Sequence, residues 1–498
     1  MRTALLVAAL ALTACGTRGT LFTQSLQALS PISTDGALVT VVPTTNRAVI
    51  IRPGQAQPST LRLAAGARAA VRVPNAEALI VLGGTARAPT LDLVDLEAGA
   101  VETLALPGFF DRVAFSEDGL FAVLTYDANA ATGPLVARNL NEVGLLHVPS
   151  RTVSRLQLDT ESLAPRGVVF GPVESNRRLV AVTLERGVAL FDALRPEVAV
   201  RRITIRPPGS SSESSVLEAV FSLDAKWLFL RASALDDVIA IELGSEVGAP
   251  PSASINFVSG GQGLSDLEPA PDGLPDAVLA AYSTSRELFL LDARGIQDKA
   301  RRFATTERIT ALTRLSGTRV LGWDANGGRG VVAWDLTDGR SGTSVLDGNT
   351  AATTLVPNLG KALFFHEYTT SGGASLSTVT VVEETNRLRL RLQSIQLSAP
   401  AQSSAVDRSG NRLFFTVRNS KSVVAVDLAT LRLAELPLDT VPTTLHYLSA
   451  SDELAAVTVG PDRLGDATLW PAGSVERGEA VRFTDYFFTD DLDRVEAP

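Results

Sequence analysis

The sequence predicts an all-β protein, a β-propeller of four-stranded antiparallel blades built from about ten repeat units. Three observations predict it. Short apolar runs ending in an acidic residue recur along the chain. A second apolar run precedes them, often behind a tight-turn dipeptide. No segment shows the 3.6-residue apolar period of a helix-length element. At 498 residues the chain is also too long for one compact core, so several domains or a repeat is required.

The clearest element is the run that ends in an acid. It reads LDLVDL at Leu91–Leu96, VALFDA at Val188–Ala193, VIAIEL at Val238–Leu243, LFLLDA at Leu288–Ala293, VVAWDL at Val331–Leu336 and VVAVDL at Val423–Leu428. Looser copies stand at Val379–Glu383, Ala48–Pro53, Leu145–Ser150 and Thr468–Gly473. The marker position falls at Arg52, Asp95, Pro149, Asp192, Glu242, Asp292, Asp335, Glu383, Asp427 and Pro471, a period of roughly 46 residues. Repetition of the acid in most units assigns it to a turn, capping backbone N–H groups, rather than to a ring of catalytic carboxylates.

The preceding runs include Ala37–Val42, Leu120–Tyr126, Arg178–Leu184, Ala277–Tyr282, Ala362–His366, Arg412–Val417 and Leu454–Val459. Asp35-Gly36, Asp118-Gly119, Asp272-Gly273, Ser316-Gly317 and Ser409-Gly410 stand just before such runs and favour tight hairpins. Fainter alternating runs follow, as at Ser59–Ala64 and Val200–Ile205, and others open units, as at Arg112–Phe115 and Ser403–Val406. Four short strands per unit describe a propeller blade. The two central runs are nearly unbroken Val, Leu, Ile, Phe and Ala, as strands buried on both faces must be. One meander cannot bury both faces alone, so neighbouring blades must stack.

Residues 409–443 read SGNRLFFTVRNSKSVVAVDLATLRLAELPLDTVPT. This stretch resembles the YVTN-type β-propeller repeat, with Phe414-Phe415-Thr416-Val417 at the position of its YVTN and Asn419 two residues later than that pattern has it. The resemblance is good over one unit and partial over about six. It implies a propeller fold and carries no catalytic residues. One large ring is favoured. Two smaller rings, or a seven- or eight-bladed ring with the remaining units apart, are the alternatives. A division would fall at residues 207–215 (PPGSSSESS), which fits equally a surface loop inside the fifth unit.

The chain opens with MRTALLVAALALTA. Arg2 and the apolar run Ala4–Leu12 form a secretory signal, since nine helical residues at ~1.5 Å each cannot cross a ~30 Å bilayer core. Leu12-Thr13-Ala14-Cys15 resembles a bacterial lipobox. The resemblance implies cleavage before Cys15, a diacylglycerol on its sulfur and an acyl chain on the new amino group. Three chains anchor firmly at ~0.8 kcal/mol per buried CH₂. Gly16 in place of Asp favours the outer over the inner membrane. Cys15 is the only cysteine, which fits an exported protein without unpaired thiols. The organisation expected is a signal over residues 1–14, a lipidated Cys and tether over 15–27, the propeller over 28–484 and an acidic tail over 485–498. Tyr486, Phe487 and Phe488 are expected to pack that tail on the last blade.

The net charge of −9 argues against a nucleic-acid partner, which needs a basic face. His147, His366 and His446 have no metal-ligand spacing, and His366-Glu367-Tyr368 lacks the second His of H-E-x-x-H. Ser259-Gly260-Gly261-Gln262-Gly263 reads as a loop between strands rather than a phosphate cradle, and Asp324-Ala325-Asn326-Gly327 as a turn rather than a calcium loop. Trp334-Asp335 lacks the paired G-H of a WD repeat. Ala425–Thr430 matches only half of a quinoprotein motif. The pairs Arg177-Arg178, Arg201-Arg202 and Arg301-Arg302 read as solvated strand ends. No catalytic, cofactor or metal residue is assigned, and no cofactor is expected. The expected role is a membrane-anchored, non-enzymatic binding or scaffold module of the cell envelope, with a protein or polysaccharide partner. The alternative is a lactonase-like hydrolase with a composite site in the central channel.

Overall fold

A computed structural model describes residues 27–126, 141–159, 164–174, 176–209, 211–244, 253–271, 273–315, 317–356, 361–369, 375–384, 388–407, 409, 411–460, 463–472 and 480–488. Ten four-stranded antiparallel sheets follow one another along the chain, each a simple meander in sequence order. Blades 1 to 10 span residues 32–62, 69–105, 112–157, 165–203, 216–258, 264–304, 311–345, 350–397, 401–437 and 444–483. The expected unit count and strand count are both observed. All ten marker positions lie within two residues of the end of a third strand.

Second and third strands are buried along almost their whole length, as in Leu38–Val42, Arg177–Leu184 and Gly187–Asp192. Both their faces are covered by neighbouring blades, which is why their runs are unbroken rather than alternating. Fourth strands are the outer edges, and Ser341–Val345 alternates between exposed and half-buried. First strands line the channel, those of neighbouring blades lying against one another around the ring.

The ring closes on itself. Ten apolar cores each join two successive blades: 1 to 2, 2 to 3, 3 to 4, 4 to 5, 5 to 6, 6 to 7, 7 to 8, 8 to 9 and 9 to 10. The tenth joins blade 10 to blade 1 through Leu38, Val42, Val49, Ile51, Leu448, Val457, Leu469 and Phe483. Two smaller rings are thereby excluded. Residues 207–215 divide nothing and do not lie inside a blade. They connect Ile203 of blade 4 to Val216 of blade 5, and the core beneath is continuous across them.

The meander sends the turns after first and third strands to one face, here the turn face. The turns after second strands and the blade-to-blade connections lie on the opposite, connector face. On the turn face Gly119 has φ +73°, and a Cβ there would meet Pro74 O of blade 2 at 2.3 Å. Only glycine fits that close approach.

Candidate functional site

First strands depart from the plain blade pattern. In blades 4, 5, 6, 8 and 9 they carry a register shift at their first pairs: Pro165/Gly167, Val216/Glu218, Leu264/Asp266, Thr350/Ala352 and Ala401/Ser403. A bulge re-aims the side chains around it. Three of these shifts place a polar side chain against the next blade. Glu218 Oε1 accepts the Leu267 N–H at 3.4 Å, Asp266 Oδ2 accepts the Leu312 N–H at 2.6 Å, and Ser403 Oγ accepts the Leu445 N–H at 3.1 Å.

In blades 5 to 7 this repeated tie gathers charge on the channel wall. Glu218 also accepts from Arg231 Nε at 2.9 Å. Burial, and then the adjacent Glu218 carboxylate, push Asp266 up to about 8. The Glu218 carboxylate beside Asp266 thus favours the protonated form of Asp266. Burial also raises Glu268, against the opposing pull of Arg314. The sequence reading missed all three acids. Their signal was an acid inside an apolar strand, VLEAVF and LSDLEP.

On the turn face, two clefts flank the closing joint. One, of about 680 Å³, lies between blades 1 and 2 and is lined by Asp35, Arg52, Glu77, Asp95 and Glu97, with Ala450 of blade 10. The other, of about 840 Å³, lies between blades 9 and 10 and is lined by Asp407, Asn411, Arg412, Asp427, Tyr447 and Asp452. The basic side chain of each cleft is engaged in the ring: Arg52 donates to Leu96 O, and Arg412 to Ala472 O. What the clefts offer is carboxylate.

Those two ties belong to a series. Lys361 donates to Leu428 O at 3.0 Å, Arg301 to Leu336 O at 2.7 Å, and Arg177 to Gly244 O, each reaching the following blade. Arg178 pairs with Asp118 of the preceding blade at 2.8 Å, holding that carboxyl down at about 2 against the opposite effect of partial burial. Arg202 binds Asp159 and Glu213. Arg177-Arg178 and Arg202 are thus not solvated strand ends, whereas Arg301 and Arg302 are exposed at the start of a fourth strand, as expected. Arg177 and Arg178 are buried, and they bind blade to blade.

The strand-end acids behave as expected. Asp192, Asp292, Asp335 and Asp427 each accept the N–H two residues on, at 3.0–3.1 Å. His366 is buried, with Nδ1 on Asn349 O at 3.0 Å and Nε2 on Thr380 Oγ1 at 2.9 Å. His147 binds Ser150, and His446 binds Thr444. Burial lowers His446 to about 4, so it is neutral at pH 7. The three histidines sit in blades 3, 8 and 10 and do not converge.

Gly260 lies under the Tyr282 ring, where a Cβ would fall 2.5 Å from the phenol oxygen, so that loop is a packing feature. Asp324 accepts from Asn326 N and Thr310 Oγ1, closing a turn. Among the described residues no group of three His, Cys, Asp or Glu could hold a metal ion. Cys15 and residues 489–498 of the acidic tail lie outside the described residues. Tyr486 and Phe487 pack as expected, but into the core shared with blade 1 rather than on blade 10 alone.

No family model matches the chain, and no curated protein matches it. Among solved structures it is similar to the dihydro-heme d1 dehydrogenase NirN in complex with DHE, at 12% identity and a TM-score of 0.44 over 76% of each chain. It is also similar to a eukaryotic initiation factor, at 12% identity and 0.42, over 75% of this chain and 89% of that one. The hydrazine synthase of Kuenenia stuttgartiensis aligns at 14% identity and 0.34, over 61% and 92%. The ten-bladed assignment rests on the sheets and their cores.

Proposed function

We propose that this protein is a lipid-anchored propeller of the bacterial cell envelope that binds a partner without catalysis. Cys15 carries the acyl chains, and the turn-face clefts beside the closing joint receive the partner. The observation that carries this reading is the pair of carboxylate-lined clefts whose own arginines are already committed to backbone carbonyls. A partner there meets clefts in which carboxylates outnumber the single arginine, although Asp35 is already paired with Arg72, and this excess of acid suits an envelope protein presenting Lys or Arg. The histidines and strand-end acids are engaged in turns and cores, which supports binding over chemistry. In-cell cross-linking of the native protein beside a Cys15→Ala variant tests the reading. A recurrent partner lost with the anchor, and lost again in Asp95→Lys, supports it. A polysaccharide as the captured species, or a partner indifferent to both changes, counts against it.

The channel-wall acids favour a second reading, a hydrolase with a composite site in the channel. A carboxyl group poised near 8 is suited to general acid–base work. A screen of lactones and esters decides between the two. Turnover abolished by Asp266→Asn, in protein that remains folded, would establish the enzyme.

A further inference from the structure

We infer that the ring rests on the membrane with its connector face down, presenting the turn-face clefts away from the lipid. The inference depends on the acylation of Cys15 proposed above. It begins from where the chain is first fixed. Leu29 N donates to Val41 O at 2.8 Å, extending the first strand of blade 1, whose residues Ile32–Ser33 run toward the turn face. Ala28 packs on the core between blades 10 and 1, and Leu29 on the core between blades 1 and 2. The chain therefore leaves blade 1 at the connector face, on the channel side. The described C-terminal end is there too. The last strand of blade 10 runs to the connector face, and Phe487 lies against Gly465, beside the turn after the second strand of that blade.

Length then restricts the route around the outside of the ring. From Cys15 to Gln27 the chain has twelve residue steps, at most roughly 40–43 Å fully stretched. To put the turn face on the lipid from outside, the tether must first cross a blade radially. Four strands at ~4.8 Å spacing make that about 14 Å. It must then descend the blade, whose second strands have five residues in Leu38–Val42 and eight in Ala78–Thr85. At ~3.3 Å each, this is roughly 17–26 Å. Around blade 1 this leaves about 9–12 Å for the side chains and turns at both corners, so the tether reaches the headgroups by that route only when almost fully stretched. With the connector face down the same tether spans the gap with slack. Exposed Arg87, Arg186 and Arg418 stand in hairpin turns on that face, among acids such as Asp236.

The test uses the lipidated full-length protein in vesicles of phosphatidylethanolamine and phosphatidylglycerol with a headgroup-borne quencher. Acylated Cys15 does not react with thiol dyes, so single cysteines can be labelled elsewhere. Arg87→Cys and Arg186→Cys report the connector face, and Glu97→Cys and Asp338→Cys the turn face. The expected result is quenching several-fold stronger at the first pair. Equal quenching, or stronger quenching at the second pair as from a tether threaded through the channel, overturns the orientation. Mass spectrometry of the Cys15 peptide keeps the two failures apart. A missing acyl mass ends the anchor reading and the orientation with it, whereas acylated protein with equal quenching ends the orientation alone.

Discussion

Nine joints of the ring are made twice and the tenth once. Between blades 1 and 2, or 6 and 7, an apolar core lies beneath a stretch of chain that runs directly from one blade into the next. Blades 10 and 1 have no such stretch, because each is built wholly from its own end of the chain. They also meet through the shortest first strand, Ile32–Ser33. The closing joint has additions in compensation. Tyr486 and Phe487 wedge into its core, and the Tyr486 hydroxyl meets Thr40 Oγ1 at 2.9 Å. On the opposite face Ser449 Oγ donates to Asp35 at 2.6 Å, and Ala450 N donates to Asp35 O at 2.8 Å. A ring without strand exchange at its closure therefore needs a fastening after its last strand.

Breaking that fastening should have the largest effect. Tyr486→Ala with Phe487→Ala removes two rings whose centroids lie 4.7 Å apart. We expect a loss of roughly 3–5 kcal/mol or more. The two changes will not add simply, because the rings touch. Trp334→Ala, at the joint of blades 6 and 7, should cost a similar amount. The comparison lies in where the damage appears. Hydrogen exchange should accelerate first at Leu38–Val42 in the double variant, and at blade 7 in Trp334→Ala. Acceleration spread evenly around the ring in both would show that the closing joint is not special.

Next in size is Tyr486→Phe, which leaves the buried Thr40 hydroxyl without its partner. The expected cost is about 1–3 kcal/mol. Adding Thr40→Val should restore most of it, since removing both members of a buried pair can be nearly neutral. Chemical denaturation of the four members of this cycle measures the term. Smaller again is Asp35→Ala. Its pair with Arg72 at 3.0 Å is half-exposed, so about 1 kcal/mol or less is expected.

The same comparison explains what was legible beforehand. Central strands are buried on both faces, so VALFD and VVAVD announce themselves as apolar runs wherever they occur. The strand-end acids repeat because every blade makes the same turn. The arginine ties were misread because a pair of arginines at a strand end has the same spelling whether it meets water or the carbonyl of the next blade. The aromatic run at Tyr486 marked one side of the closing contacts, but nothing local marked their partners on blade 1. Thr40 and Tyr486 lie 446 positions apart, and Asp35 and Ser449 lie 414 apart. Only the number of blades in the ring brings them together. First strands, short and bulged, carry the polar ties of the channel wall, and their broken apolar pattern makes them the weakest strands to read.

Asp266→Asn is expected to have its smallest effect near pH 4, and its pH dependence tests whether an interior joint has a polar fastening of its own. In the folded ring Asp266 binds its proton up to about 8, through burial and the Glu218 charge, while an unfolded carboxyl releases it near 4. Between those values the folded state holds more protons than the unfolded one. The stability contributed by the protonated group is therefore complete below pH ~4 and is lost as pH rises through about 8. Asn keeps an oxygen for the Leu312 N–H and an N–H₂ for Glu218, so near pH 4 the variant should match the parent. The difference should then grow in favour of the variant as pH rises and level off above 8. His446, lowered by burial, works in the opposite sense below pH 6.5 and is unchanged by the substitution, so the difference between the two proteins isolates Asp266. Urea midpoints taken at intervals from pH 4 to 9 give the curve. Parallel curves for parent and variant would mean that the folded ring does not raise Asp266 and that the joints of blades 5 to 7 rely on apolar packing, as the others do.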